Sequence, residues 1–96
     1  ASDAIKLKAP DIAENGAVVP ITVSSTMGNI ESIAIIASAN AQPLTSTYML
    51  SSASEPFVST RIQMGKTADV IAVVKADGKL DSTTQEVKVT IGGCGG

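Results

Sequence analysis

The chain has 96 residues, a net charge of −2 and no histidine. This length fits a single domain, the lack of imidazole excludes the usual general base and a common metal ligand, and the weak charge favours neither nucleic acid nor an anionic membrane as a partner. No apolar run approaches the roughly 18 residues of a spanning helix, and the two aromatic residues, Tyr48 and Phe57, leave a core to be built from Ala, Val and Ile.

Short apolar segments recur about every ten residues between Gly, Pro, Asn, Asp and Ser, which is typical of an all-β sandwich. The seven predicted strands are residues 5–9, 18–25, 30–37, 45–50, 58–64, 70–75 and 83–91. Because no long stretch combines helical periodicity with end caps, we predict little or no helix. Residues 1–91 would form the sandwich domain, and residues 92–96 would follow it as a Gly-rich arm.

The first two predicted strands differ in sequence pattern and therefore in the position expected for each in a sheet. Residues 5–9 alternate apolar side chains with two lysines, which indicates one buried face. Asn15-Gly16 predicts a turn before the second strand. That strand contains Pro20, which has no N–H to donate, so we expect it at a sheet edge or with a bulge at the proline.

The later strands include the most buried candidate and the clearest hairpin. Residues 30–37 are apolar and rich in β-branched side chains, which favours a central strand covered on both faces; the alanines of residues 31–41 leave a helix as the alternative. Residues 58–64 alternate as in a half-buried strand. Asp77-Gly78 between alternating runs predicts a tight hairpin. We expect the three methionines to fill gaps in the core.

The chain finishes Gly92-Gly93-Cys94-Gly95-Gly96, so its only cysteine stands among four of its eight glycines. Flanking glycines keep a residue mobile unless something external holds it, whereas an unpaired cysteine is usually buried. With no second cysteine and no histidine, this thiol can form no intrachain disulfide, zinc site or Cys-x-x-C redox site. It can react only with another molecule, and an unperturbed thiol is a usable nucleophile.

Three interpretations of the tail follow from this chemistry. It could be a disordered end without a role, as chain termini often are. It could join two chains through a disulfide, the usual suspicion for an odd cysteine in an exported protein. Or Cys94 could be a covalent carrier that holds a substrate while the arm moves between enzymes.

The tail, after a strand reading EVKVTI over residues 86–91, resembles the SoxY family of sulfur carrier subunits, and the resemblance covers the whole chain. It implies an immunoglobulin-like antiparallel β-sandwich of about seven strands that works in the periplasm as a heterodimer with a SoxZ subunit. It gives Cys94 the role of covalent attachment point for sulfur. The flexible arm is assigned to Gly92, Gly93, Gly95 and Gly96.

The resemblance also implies a division of labour in thiosulfate oxidation. A SoxXA cytochrome would join thiosulfate oxidatively to Cys94, SoxB would hydrolyse off sulfate, and SoxCD would oxidise the remaining sulfane sulfur. The carrier itself would be no enzyme and would hold neither metal nor cofactor, because those reside in the other proteins. We expect no nucleic acid or membrane partner.

Two other classes of protein remain as alternatives. A β-grasp sulfur carrier also ends in Gly-Gly but activates its terminal carboxylate as a thiocarboxylate, and its fold needs a packed helix. An immunoglobulin-like interaction module with an incidental tail would need neither Cys94 nor the glycines.

Overall fold

The structure, a computed structural model, describes residues 4–38, 44–49 and 57–90. Its strands are β1 (Ile5–Lys8), β2 (Ile12–Ala13), β3 (Val19–Ser25), β4 (Ile30–Ala37), β5 (Leu44–Met49), β6 (Phe57–Ile62), β7 (Ala68–Ala76) and β8 (Lys79–Val89). They form a three-stranded sheet in the order β1-β3-β6 and a five-stranded sheet in the order β2-β8-β7-β4-β5. These ranges contain no helix, and thus none that could cross a membrane. The all-β sandwich is confirmed.

The two sheets enclose one core, and among the described residues it consists almost entirely of Ala, Val and Ile. Its buried apolar members are Ile5, Ala13, Val19, Ile21, Val23, Ile33, Ile35, Ala37, Val58, Ile62, Met64, Ala68, Val70, Ala72, Val74 and Val87. Met64 is fully buried just beyond β6 and fills the core, as predicted for a methionine. Phe57 is 53% exposed, so the core does not depend on its ring.

Residues 4–38, 44–49 and 57–90 contain one strand more than the sequence analysis predicts. β2 has two residues and pairs in parallel with β8, with Ile12 opposite Lys88 and Ala13 opposite Val89. The other strand pairs in the described part of the chain are antiparallel. A two-residue strand is too short to show an alternating pattern, which explains why it was missed.

The expectation that Pro20 marks an edge strand or a bulge is wrong. β3 is the middle strand of its sheet, and its register with β6 runs without a shift through the pair of Pro20 and Arg61. On the other side, however, the register with β1 ends at the pair of Lys8 and Thr22. Pro20 therefore lies past the end of β1, where the missing N–H interrupts no strand pairing on that side.

β4 is an interior strand, as predicted, and the helical alternative for this region is wrong over residues 30–37. Ile33 and Ile35 are fully buried between the sheets. The opposite face of β4, which carries Ala34 and Ile36, is only half-buried. The expected cover on both faces is therefore incomplete in the single chain.

The predicted hairpin between β7 and β8 is confirmed, with a two-residue turn. Asp77 and Gly78 have φ values of 52° and 73°, the left-handed region that a type I′ turn requires. Asn29 Nδ2 donates to Asp77 Oδ1 at 3.0 Å, and the Gly78 amide donates to Glu31 Oε2 at 3.2 Å. Both bonds connect the turn to the start of β4.

Candidate functional site

The predicted site residues, Cys94 and its four glycines, lie outside the described residues. The structure describes the strand that leads to them, β8, and the chain as far as Thr90. Thr90 precedes Cys94 by four residues in the sequence, so the surroundings of Thr90 are the nearest part of the described structure to the predicted site.

One side of the end of β8 is bonded to the connection between β1 and β3. The Lys88 amide donates to the Asp11 carbonyl at 3.0 Å, and the Thr90 amide donates to the Ala13 carbonyl at 3.1 Å. The Thr90 hydroxyl adds a bond to the Glu14 carbonyl at 3.3 Å. The chain between two strands of the smaller sheet thus crosses to the edge of the larger one.

The other side of the end of β8 is bonded to a side chain. The register between β7 and β8 ends at the pair of Ala68 and Val87. Two residues further on, the Val89 amide donates to Thr67 Oγ1 at 2.9 Å. The hydroxyl of Thr67 thus supplies an acceptor where the described pairing with β7 has ended. We call Thr67 together with residues 11–14 the β8 clamp.

A further contact fixes the chain that enters the clamp. Gln85 Nε2 donates to the Ala9 carbonyl at 2.7 Å and to Asp11 Oδ1 at 3.4 Å. Ala13 is buried in the core, whereas Thr67 and Thr90 are exposed. The clamp therefore combines one buried anchor with hydroxyl bonds at the surface.

Sequence reasoning did not find the clamp. Residues 11–14 lie between the first two predicted strands, and the one available signal is the apolar pair Ile12-Ala13 between Pro10 and Asn15. Thr67 lies between the predicted strands at residues 58–64 and 70–75. Nothing local indicates that its hydroxyl meets an amide 22 positions along the chain.

Within the described ranges, no three Asp, Glu, Cys or His side chains group as ligands for a metal ion. The acidic residue of the β7–β8 turn, Asp77, accepts a bond from Asn29. Asp81 accepts a bond from the Ser82 amide at 2.9 Å. Both carboxylates have hydrogen-bonding partners within the fold.

Comparison with known families decides which family this sandwich represents. The profile described as "Sulfur oxidation protein SoxY" matches residues 1–94. The chain belongs to the SoxY family. The match extends to Cys94, so it includes the whole sandwich and the only cysteine of the sequence.

One solved structure agrees with the SoxY assignment, and a second shares the fold. The sulfur carrier protein SoxY from Chlorobium limicola f thiosulfatophilum is 44% identical, with a TM-score of 0.83 over 94% of this chain and 82% of that one. A superoxide reductase (neelaredoxin) from Ignicoccus hospitalis is 16% identical, with a TM-score of 0.79 over 90% of this chain and 80% of that one. At that identity the reductase shows the fold alone. A search of curated proteins gave no match.

As a SoxY protein, the chain is a sulfur carrier of Sox sulfur oxidation. A carrier must bind sulfur in a bond that can be made and exchanged. A thiol can do this through a sulfur–sulfur bond, and the sequence contains one thiol.

Proposed function

We propose that Cys94 is the covalent attachment point of this sulfur carrier. The observation that carries the proposal is that a chain matching the SoxY family over residues 1–94 has a single cysteine, and that it lies within the match. The thioethers of the three methionines cannot take its place, because a thioether has no S–H to exchange for a sulfur–sulfur bond.

The proposed loading step is an oxidation. The Cys94 thiol and the sulfane sulfur of the thiosulfate dianion form a sulfur–sulfur bond, the thiol proton leaves, and two electrons pass one at a time to a SoxXA cytochrome. Hydrolysis by SoxB then breaks the bond between sulfane sulfur and sulfonate, so that water supplies the fourth oxygen of sulfate and a persulfide stays on Cys94. SoxCD oxidises that remaining sulfur. The carrier acts in this scheme as a substrate-bearing subunit rather than as an enzyme.

The domain division fits this role. Residues 1–91 form the carrier body and residues 92–96 the arm. Without Cβ atoms, Gly92 and Gly93 give a thin chain that can enter a narrow channel, and Gly95 and Gly96 leave space on the far side of the thiol. The three residues from Gly92 to Cys94 span at most about 10 Å when extended.

The β-grasp alternative is not supported, because that fold needs a helix packed on its sheet and residues 4–38, 44–49 and 57–90 form none. The interaction-module alternative gives no reason for a SoxY family match that continues to Cys94.

The attachment is tested by comparing Cys94→Ser with a variant that lacks Gly96 in a reconstituted thiosulfate-oxidising reaction. Serine keeps the shape of the side chain but cannot form a sulfur–sulfur bond, so Cys94→Ser should abolish turnover. Loss of Gly96 breaks the Gly-Gly end on which a thiocarboxylate mechanism depends, because the terminal carboxylate then belongs to Gly95, and should leave turnover largely intact. Turnover by Cys94→Ser, with loss of turnover on removing Gly96, would contradict the proposal.

We also propose that a SoxZ subunit binds the outer face of the five-stranded sheet. This outer face is defined by Ala34, Ile36, Ile71 and Val73, which lie on the adjacent strands β4 and β7 and are all half-buried. In the register, Ala34 is opposite Val73 and Ile36 is opposite Ile71, so the four side chains form a continuous apolar patch.

The ends of this patch have the character of an interface rim. On β7, exposed Asp69 precedes Ile71 by two residues and exposed Lys75 follows Val73 by two residues, both on the same face. An apolar centre with a charged rim is the usual anatomy of a protein–protein interface. A SoxZ subunit would thus complete the cover that the sequence of β4 predicts.

The outer face of the three-stranded sheet has a different composition. Along β3 and β6 it presents Thr22, Ser24, Ser59 and Arg61 together with Pro20 and the exposed ring of Phe57, and β1 adds its lysines. Phe57 is a single apolar side chain on a mainly polar surface, so the continuous apolar face of the larger sheet is the better candidate for a permanent partner.

The interface is tested by measuring the Kd of the SoxZ complex for Ile71→Glu and Thr22→Glu. Both sites are half-buried on the outer face of a sheet, so both variants should fold. A carboxylate at position 71 would be buried against the partner, and we expect at least a roughly tenfold higher Kd for Ile71→Glu. Thr22→Glu should bind as the unmodified protein does. Unchanged binding by Ile71→Glu would exclude this face.

We propose further that the carrier works in the periplasm. A persulfide or thiosulfonate on Cys94 is a sulfur–sulfur bond, which the thiols of the cytosol would reduce and which an oxidising compartment preserves. Immunoblotting of periplasmic and cytoplasmic fractions from the native host should find the protein in the first. Its confinement to the cytoplasm would contradict the proposal.

A further inference from the structure

We propose that the β8 clamp fixes the point from which the carrier arm pivots, with Thr67 and Thr90 as positioning residues for sulfur transfer. This inference rests on the proposed attachment at Cys94. It concerns how far the thiol can travel, which the presence of the thiol alone does not determine.

The contacts of residues 9–14 are concentrated near the arm. A strand that only needed edge protection would be covered along its length, since every unpaired edge group invites association. β8 begins at Lys79, yet the hydrogen bonds of residues 9–14 to this part of the chain involve Gln85, Lys88 and Thr90. The crossing segment therefore holds the half of β8 that leads to Cys94.

The two threonines hold this end through their hydroxyls. Thr67 Oγ1 accepts from the Val89 amide, and Thr90 Oγ1 donates to the Glu14 carbonyl. Both residues are exposed, so their side chains add little to the buried core. Removing the two hydroxyls should thus loosen the last residues of β8 without unfolding the sandwich.

Clamping shortens the arm. From Thr90 to Cys94 there are four residues, which span at most about 14 Å. Without the clamp the chain would be held only as far as Val87, the last residue of β8 in register with β7, and the arm would then have seven residues. Because effective concentration falls as about the −3/2 power of tether length, the longer arm lowers the concentration of the thiol at a partner's active site roughly twofold.

The test compares the double variant Thr67→Val/Thr90→Val with Thr67→Ser/Thr90→Ser. Valine keeps the branched shape and removes the hydroxyl, whereas serine keeps the hydroxyl. In the complex with its partner subunit, the valine variant should show roughly five- to tenfold faster amide hydrogen exchange at Val89, whose amide loses its acceptor, with the melting temperature almost unchanged. Because the Lys88 and Thr90 amides keep their bonds to residues 11–14, the KM of SoxXA for the carrier should rise by up to about twofold at constant kcat, and the serine variant should behave as the parent protein.

A length control separates reach from a merely structural effect. Three glycines inserted between Gly92 and Gly93 lengthen the arm from four to seven residues, the length expected without the clamp, while the clamp itself stays intact. This insertion should raise KM about twofold with normal exchange at Val89.

The outcomes distinguish the two proposals. Faster exchange in the valine variant without a change in KM, or no faster exchange at all, would overturn the role of the clamp. Loading of Cys94→Ser would instead overturn the attachment site, whatever the exchange data show.

Discussion

Neighbouring residues of β4 have opposite roles because side chains alternate across a strand. Ile35 is fully buried between the sheets, whereas Ile36 is half-buried on the outer face. The sequence identifies both as apolar strand residues but cannot tell which face is covered by this chain and which is left for a partner. That distinction depends on the opposing sheet, which is assembled from residues distant in the sequence.

The two isoleucines should therefore respond differently to truncation. Ile35→Ala leaves a cavity in a packed core and should lower the free energy of unfolding of the isolated chain by about 2–5 kcal/mol. Ile36→Ala removes atoms that are already partly in water and should cost less than about 1 kcal/mol. Urea denaturation of both variants measures the difference.

The control for this comparison is the Kd of each variant for the SoxZ subunit. If Ile36 belongs to the SoxZ interface, Ile36→Ala should weaken the complex although it leaves the isolated chain nearly unaffected. Equal destabilisation of the isolated chain by the two variants would mean that β4 is covered on both faces after all.

At the scale of elements, long strands and their turns were predictable and the short parallel contact was not. The hairpin at Asp77-Gly78 was found because its turn residues must adopt positive φ, a requirement visible in two adjacent letters. β2 depends instead on where the chain crosses between sheets. Its two residues acquire a strand conformation only by lying beside Lys88 and Val89.

Pro20 illustrates how a correct physical rule can give the wrong element. A proline does interrupt the pairing of a strand, but its missing N–H removes only one hydrogen bond, on one edge of that strand. β3 accommodates Pro20 because it extends beyond the end of β1 on one side while it stays paired with β6 on the other. The length of the neighbouring strand, which no local pattern reports, decided the outcome.

For the candidate site, the sequence indicated the chemistry of the thiol but not the hydrogen bonds that hold the end of β8. A single cysteine without histidine restricts the possible reactions to those between molecules, and this conclusion needs no coordinates. The bonds of Thr67 and Thr90 to distant backbone groups required the structure. These two threonines are ordinary by residue type and distinctive only by their position in the fold.

At the scale of the whole molecule, the proposed carrier consists of a β-sandwich and a thiol that follows its last strand in the sequence. The sandwich supplies a core of small aliphatic side chains, an apolar outer face and a clamped strand end. In the proposed scheme the chemistry of oxidation and hydrolysis belongs to other proteins. Such a carrier would need a thiol and no histidine, which agrees with a sequence that has one cysteine and no histidine.

The central claim, that sulfur is bound covalently at Cys94, is tested most directly by the intact mass of the protein isolated without reductant from cells oxidising thiosulfate. We predict species heavier by one sulfur atom or by sulfur plus a sulfonate group, with the added mass on the peptide that contains Cys94 and lost on treatment with a thiol reductant. Only the bare thiol, or added sulfur on a peptide without Cys94, would contradict the account.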